Sequence, residues 1–364
     1  MDIPPEQRER TSMATQTSTR IFAAAGHGAK QGFRGGIFRT TPDTGVWEEL
    51  ENGLPELVES HALAVHPRER DVIYAGTQDG PYRSTDGGDT WERLGFPKGP
   101  GMVWSLAFHP TRPEVMYCGT APVNLYRSED GGDNWKKLPA QSPEHCVMGF
   151  PTRTIAIAVD ASRPDDVYAA LEVSGVMRSS DGGETWTDLS QSLVDLAKQP
   201  HLKSRIGSDR DSEGMLDSHA IVVSPAQPAA PILAVRMGLF QSKDAGRSWR
   251  DMEVGRHSPL TYCRDVVVSP HDARTLYACL SPAARSNDGT LYRSADLGET
   301  WQRFDHGVKA QATMMAAAVH SADPAKVYCV SRCGQVFGTE DAGKSWREYR
   351  MPEEVGDAYK VVCS

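Results

Sequence analysis

Two of the eleven histidines head near-identical apolar runs, His61 in HALAVHP and His219 in HAIVVSP. An imidazole titrates close to neutral pH, so it serves as general base, proton carrier or metal ligand. The same register in other runs holds Trp104, Ile155, Arg264 and Met315. Gln78, Asp79, Glu172, Arg236 and Arg332 stand at the ends of the runs that follow. Imidazoles, an indole, carboxylates and guanidiniums brought to one place would make a polar ligand pocket.

Three chemistries fit these residue types. In the first, His61 and His219 hold a divalent transition metal, with Glu172 or one of His27, His145 and His257 completing the set, and the bound water becomes the nucleophile or base. No H-E-x-x-H or H-x-H motif accompanies them. In the second, Arg264, Arg236, Arg332 and Arg34 clamp a substrate carboxylate, with Tyr262 beside them, and Glu172, Asp265 or Asp79 act as acid and base. In the third there is no reaction, and the surface is a platform for a protein or small ligand. Nucleophile-elbow, P-loop and dinucleotide motifs are absent. Cys146 beside His145 is only a sequence neighbour, which a Cys/His nucleophile pair does not require.

The elements that would position these residues repeat. YRSTDGGDTW at 82–91 returns in varied form ending at Trp135, Trp186, Trp249, Trp301 and Trp346, and Trp47 closes a degenerate first copy, TTPDTGVW. Trp104 is the one tryptophan of eight outside this series. A period near 44 residues, filled by four short strand-like runs, predicts propeller blades. The first unit opens on RIFAAAG, which matches the second strand of the others, and DAYKVVCS at 357–364 supplies the missing inner strand. The expectation is an all-β, seven-bladed propeller over residues 20–364, closed by its C-terminal strand, behind a disordered tail at 1–19.

The repeated phrase S/T-x-D-x-G-x-T/S-W resembles the Asp box of BNR-repeat proteins, which include sialidases, sortilin-type receptors and a photosystem-assembly factor. That resemblance implies a turn between the third and fourth strands of each blade, and ligands bound on the opposite face over the channel. Asp86 and its equivalents accept bonds within the turn, Gly88 and its equivalents supply positive φ, and the tryptophan is buried. A calcium loop is argued against by Arg247 and Lys344 at the sixth position. An Arg-Ile-Pro segment expected of sialidases is missing.

His66, His109, His271 and His320 fall on the Asp-box face and the other seven histidines on the opposite one. The long inserts at 139–153, 190–218 and 281–289 also map there, and 190–218 is a candidate lid. A net charge of −9 argues against nucleic acid as a partner, and no apolar run is long enough to span a membrane. The seven scattered cysteines and the absence of an apolar leader at MDIPPEQRER suggest a reducing cytoplasm. The expected function is a hydrolase or lyase acting on a small polar or anionic substrate at the channel mouth, possible metal assistance included. The alternative is a non-catalytic binding or assembly platform.

Overall fold

The computed structural model describes residues 18–27, 32–143 and 145–364. Seven four-stranded antiparallel sheets follow one another as blades. The inner strands are Ala358–Cys363 in blade one, then Ser60–Val65, Met102–Phe108, Thr154–Asp160, Ser218–Val223, Tyr262–Val268 and Met314–Val319 in blades two to seven. The C-terminal strand pairs antiparallel with Ile21–Ala25, and Arg20 and Ser364 exchange two backbone hydrogen bonds of 3.0 Å. The ring therefore closes between the two ends of the propeller, and blade one keeps no open inner edge.

Small residues let the inner strands crowd the axis. Ala62, Ala220 and Ala316 are buried there, and Ala23, Ala24 and Ala25 fill the second strand of blade one. Apolar clusters bridge the blades, as where Tyr168, Val235, Phe240 and Trp249 pack together. The expected tail boundary moves: Thr19 is already buried and its hydroxyl accepts a bond from Lys326 Nζ at 2.8 Å. The remainder of that segment, residues 1–17, lies outside the described residues.

The Asp boxes are turns held by their own side chains. In blade two Asp86 accepts from the Thr90 amide (2.9 Å) and hydroxyl (2.6 Å), Ser84 Oγ accepts from the Gly88 amide, and Trp91 Nε1 donates to Gly88 O. Gly88 has φ of +100°, a region where a side chain is strained. The fourth position is also left-handed, yet Ala245, Leu297 and Ala342 occupy it in three boxes. In the degenerate first box, Thr40 Oγ1 donates to Val46 O and no aspartate takes part.

The 190–218 insert is packed down. Helix Gln191–Leu196 and helix Glu213–Leu216 bury Leu193 and Met215 in the cluster of blades four and five. Glu213 is buried and accepts from the amides of Ile206, Gly207 and Ser208 and from the Ser208 hydroxyl. A lid needs a hinge and a weakly held body; this segment has its own polar clasp and apolar anchors.

Candidate functional site

Each of the seven inner strands slips register against its neighbour by one residue near its entry. The skipped residues are Tyr359, His61, Trp104, Ile155, His219, Arg264 and Met315. A bulge leaves one residue unpaired and re-aims its side chain. Here it does so at the entry of every inner strand, at one level, on the end away from the Asp boxes. The residues before them, including Ser60, Thr154, Ser218 and Met314, are fully buried and fix the strand beneath. All seven bulge residues line one cavity of about 470 Å³, whose walls further along the inner strands are apolar, as at Phe108, Val159 and Val268.

His61 and His219 both line this cavity, but they stand three blades apart in a ring of seven, on opposite walls. Around His61 the wall is aromatic. Its ring centroid lies 3.9 Å from that of Trp104 and 4.1 Å from that of Tyr359. Among the described residues neither imidazole nitrogen makes a hydrogen bond; Nε2 is 3.3 Å from Glu59 Oε1, within ion-pair range. Burial lowers the His61 pKa against the pull of Glu59. A Cβ on Gly26 would stand 2.5 Å from that Nε2, so the bare backbone there lets the imidazole seat.

His219 is set differently. Its Nδ1 donates to Cys263 O at 2.7 Å, and the Tyr262 hydroxyl lies 3.2 Å from Nε2. Asp217 Oδ2 lies 3.5 Å from Nε2 and 3.5 Å from Arg236 Nη1. Burial works to raise the Asp217 carboxyl, but His219, Arg264 and Arg236 outweigh it and hold it below its ordinary value. Burial pushes the Tyr262 phenol up to about 12, so it stays a donor.

Arg264 is the charged group of the ring. It is 9% exposed, lines the cavity and makes no hydrogen bond among the described residues. Its nearest ion-pair partner is Glu172 Oε1 at 3.7 Å. Glu172 is drawn instead to Arg153, at 2.7 Å, and the Arg153 guanidinium lies 4.3 Å from the centre of the Trp104 ring. One level down, Lys360 and Asp265 approach to 3.6 Å across the channel wall.

The remaining expected residues disperse. Arg332 binds Asp357 at 3.0 Å beside Tyr359, on the rim. Arg34 is exposed and held by Glu49 and Glu354, away from the ring. His27 reaches His61 only through Glu59, at 3.5 Å. His145 is exposed on a bridge to Pro151, and His257 is exposed after the turn Val254–Arg256. Among the described residues no three His, Cys, Asp or Glu side chains come together as a metal site, so the five histidines do not form the expected ligand set. Glu172, expected as acid or base, is placed as the carboxylate between two guanidiniums. Tyr359, Glu59, Arg153 and Asp217 belong to the site and were not expected. Tyr359 was legible from register with His61, because both are the second residue of an inner strand.

Two family models match this chain: the BNR/Asp-box repeat over residues 82–93, and sortilin, neurotensin receptor 3, over residues 289–362. The chain is a seven-bladed Asp-box propeller. The propeller is 24% identical over 222 residues to a xyloglucanase of Paenibacillus sp, an alignment covering 57% of this chain and 18% of that protein. Among solved structures it resembles an ancestral GH74 enzyme with a TM-score of 0.58 and 18% identity, over 88% of this chain and 40% of the other. It also resembles YCF48 from Cyanidioschyzon merolae, with a TM-score of 0.56 and 17% identity, over 84% and 90% of the two chains. YCF48 bound to D1 peptide gives 0.54 and 14%, over 83% and 84%. The propeller thus spans only a minor part of the two enzymes, and at these identities the structural likeness is one of fold.

Proposed function

We propose that the channel mouth binds a small anionic ligand through Arg264. The observation that carries this reading is the state of that guanidinium: buried, facing a 470 Å³ cavity, with no hydrogen bond among the described residues and its nearest ion-pair partner 3.7 Å away. A desolvated cation with open donors is costly until an anion meets it, and a carboxylate fits a guanidinium bidentately. Arg153 adds a second charge on the same side, and the Tyr359–His61–Trp104 wall offers flat faces for a ring or chain of the ligand. Small carboxylates such as uronic acids, titrated calorimetrically, test it. Arg264→Gln should weaken binding at least about tenfold, the scale of one charge-assisted pair. Unchanged affinity in that variant overturns the reading.

A second reading, hydrolysis of the bound ligand, is favoured by His219. Its tautomer is set by the Cys263 carbonyl, and its other nitrogen faces Tyr262 and Asp217, an arrangement suited to moving a proton. The names of the xyloglucanase and GH74 relatives support the same reaction class. Product release from a panel of anionic glycosides, abolished in His219→Gln, would establish it; binding without turnover across the panel would leave the propeller a receptor.

A further inference from the structure

At two seams, between blades one and two and between blades two and three, a third-strand arginine binds an aspartate of the next blade's Asp box. Five blades carry an arginine at the same register of the third strand: Arg39, Arg83, Arg127, Arg178 and Arg293, opposite Glu48, Glu92, Lys136, Thr187 and Gln302 of the fourth. Arg39 binds Glu48 at 2.7 Å and Asp89, in the next blade's Asp box, at 2.6 Å. Arg83 binds Glu92 at 2.7 Å and Asp133, again in the next box, at 3.2 Å. Arg127 binds Glu129. Where the following box carries a cation, Arg247, Arg178 turns to the buried Asp166 at 2.6 Å.

At the seam of blades six and seven neither solution is present. The fourth-strand partner is Gln302 and the next box places Lys344 where Asp89 and Asp133 stand elsewhere. Arg293 has no ion pair or hydrogen bond among the described residues; it lies 5.7 Å from the centre of the Phe304 ring. Asp272 feels its charge but is beyond ion-pair range and accepts from the Thr275 hydroxyl at 2.7 Å. A hollow of about 340 Å³ opens here, lined by Arg293, Arg303, His306 and Lys344 with no carboxylate in its wall. Arg303 is committed to Asp305 at 2.9 Å, which leaves Arg293 and Lys344, both exposed, as the cations of this hollow without an ion pair among the described residues.

We propose that this seam binds a phosphate or sulfate group, which takes the place that Asp89 and Asp133 fill beside Arg39 and Arg83. Two cations around one hollow with no internal counter-charge suit a dianionic oxyanion, and Arg293 can meet two of its oxygens at once. The site is separate from the channel mouth, so it is tested in the full chain with Arg264→Gln to silence the mouth. Inorganic phosphate, inorganic sulfate and O-phosphoserine are titrated at constant ionic strength, which holds screening fixed. Binding in this background is expected to fall at least about tenfold on adding Lys344→Glu, which puts a carboxylate where Asp89 and Asp133 stand in their boxes, or Arg293→Gln. Lys344→Glu should also raise the melting temperature in anion-free buffer, a readout that shows the variant folded. Stronger binding of phosphoserine than of free phosphate assigns the site to ester-linked groups; the reverse assigns it to the free ion. No binding at millimolar phosphate, or binding indifferent to both substitutions, overturns the proposal.

Discussion

At the residue scale, what separates His61 from His219 is the partner of each nitrogen, and that has a measurable consequence. His61 is buried, neither nitrogen makes a hydrogen bond among the described residues, and its pKa is lowered, chiefly by that burial and against the pull of Glu59. In the unfolded chain the same group takes a proton near pH 6.5. Above that value both states are neutral and the native state loses nothing. Below it the unfolded chain binds the proton first, and stability drains away as pH falls. Chemical denaturation at pH 7.5 and pH 5.5 should therefore show a larger loss in the wild-type protein than in His61→Phe, which keeps the aromatic stack without the titration. Equal losses would mean that His61 is charged in the native state. The sequence placed this histidine, because its register in HALAVHP matched that of His219 in HAIVVSP. It did not disclose Glu59 or Gly26, whose roles depend on how blade one's turn meets blade two. Nor did it tell Arg34 from Arg264: both are arginines near strand ends, and only packing leaves one exposed between glutamates and the other desolvated over a cavity.

At the scale of the element, the Asp box was legible because all its bonds are local. Ser84, Asp86, Gly88, Thr90 and Trp91 satisfy one another within eight residues of chain. The bulges were not legible, since a register slip belongs to a pair of strands and no residue type announces it. The 190–218 insert shows the same limit. Its charges, among them Lys203, Arg205 and Asp211, read as a solvated loop, while its structure turns on the single acid Glu213. Burial works to raise that carboxyl, but the Ser208 hydroxyl and three backbone amides outweigh it and hold it at about 2. A group held below its unfolded pKa stabilises above that value and loses its effect as pH falls toward the folded one. The clasp should therefore be intact at neutral pH and fail between about pH 4.5 and pH 2. Glu213→Gln removes the charge, and a charge-assisted network of this kind contributes on the order of 2 kcal/mol. Limited proteolysis at pH 7 should then cut the variant within 190–218 well before the wild-type protein. Equal cutting rates would show that Leu193 and Met215 hold the segment without the clasp.

At the scale of the whole molecule, the site exists only because the ring is closed. Tyr359 and Lys360 reach the channel on the C-terminal strand, while Ile21–Ala25, the strand that pairs with it, comes from the other end of the propeller. Closure was visible in the sequence as a unit without a first strand and a strand without a unit. What it delivers to the channel was not, since that required seeing Tyr359 stacked on His61. Truncation after Asp357 removes the inner strand of blade one, the two bonds between Arg20 and Ser364, and the Val361 and Cys363 side chains that pack against blade seven. The exposed edge of Ile21–Ala25 is apolar and fully buried in the closed ring, so it should pair with other copies. Size-exclusion chromatography is expected to show oligomers and calorimetry a broadened transition at lower temperature. A synthetic peptide of residues 358–364 should restore the monomer by adding its strand to the open edge, as edge strands accept extended partners. The same peptide carrying Tyr359→Ala should restore the monomer but not ligand binding at the mouth, which separates closure of the ring from completion of its aromatic wall. A truncated chain that remains monomeric with an unchanged melting curve would show that six blades and an open edge suffice, and that the seam between the two ends is not what holds the ring.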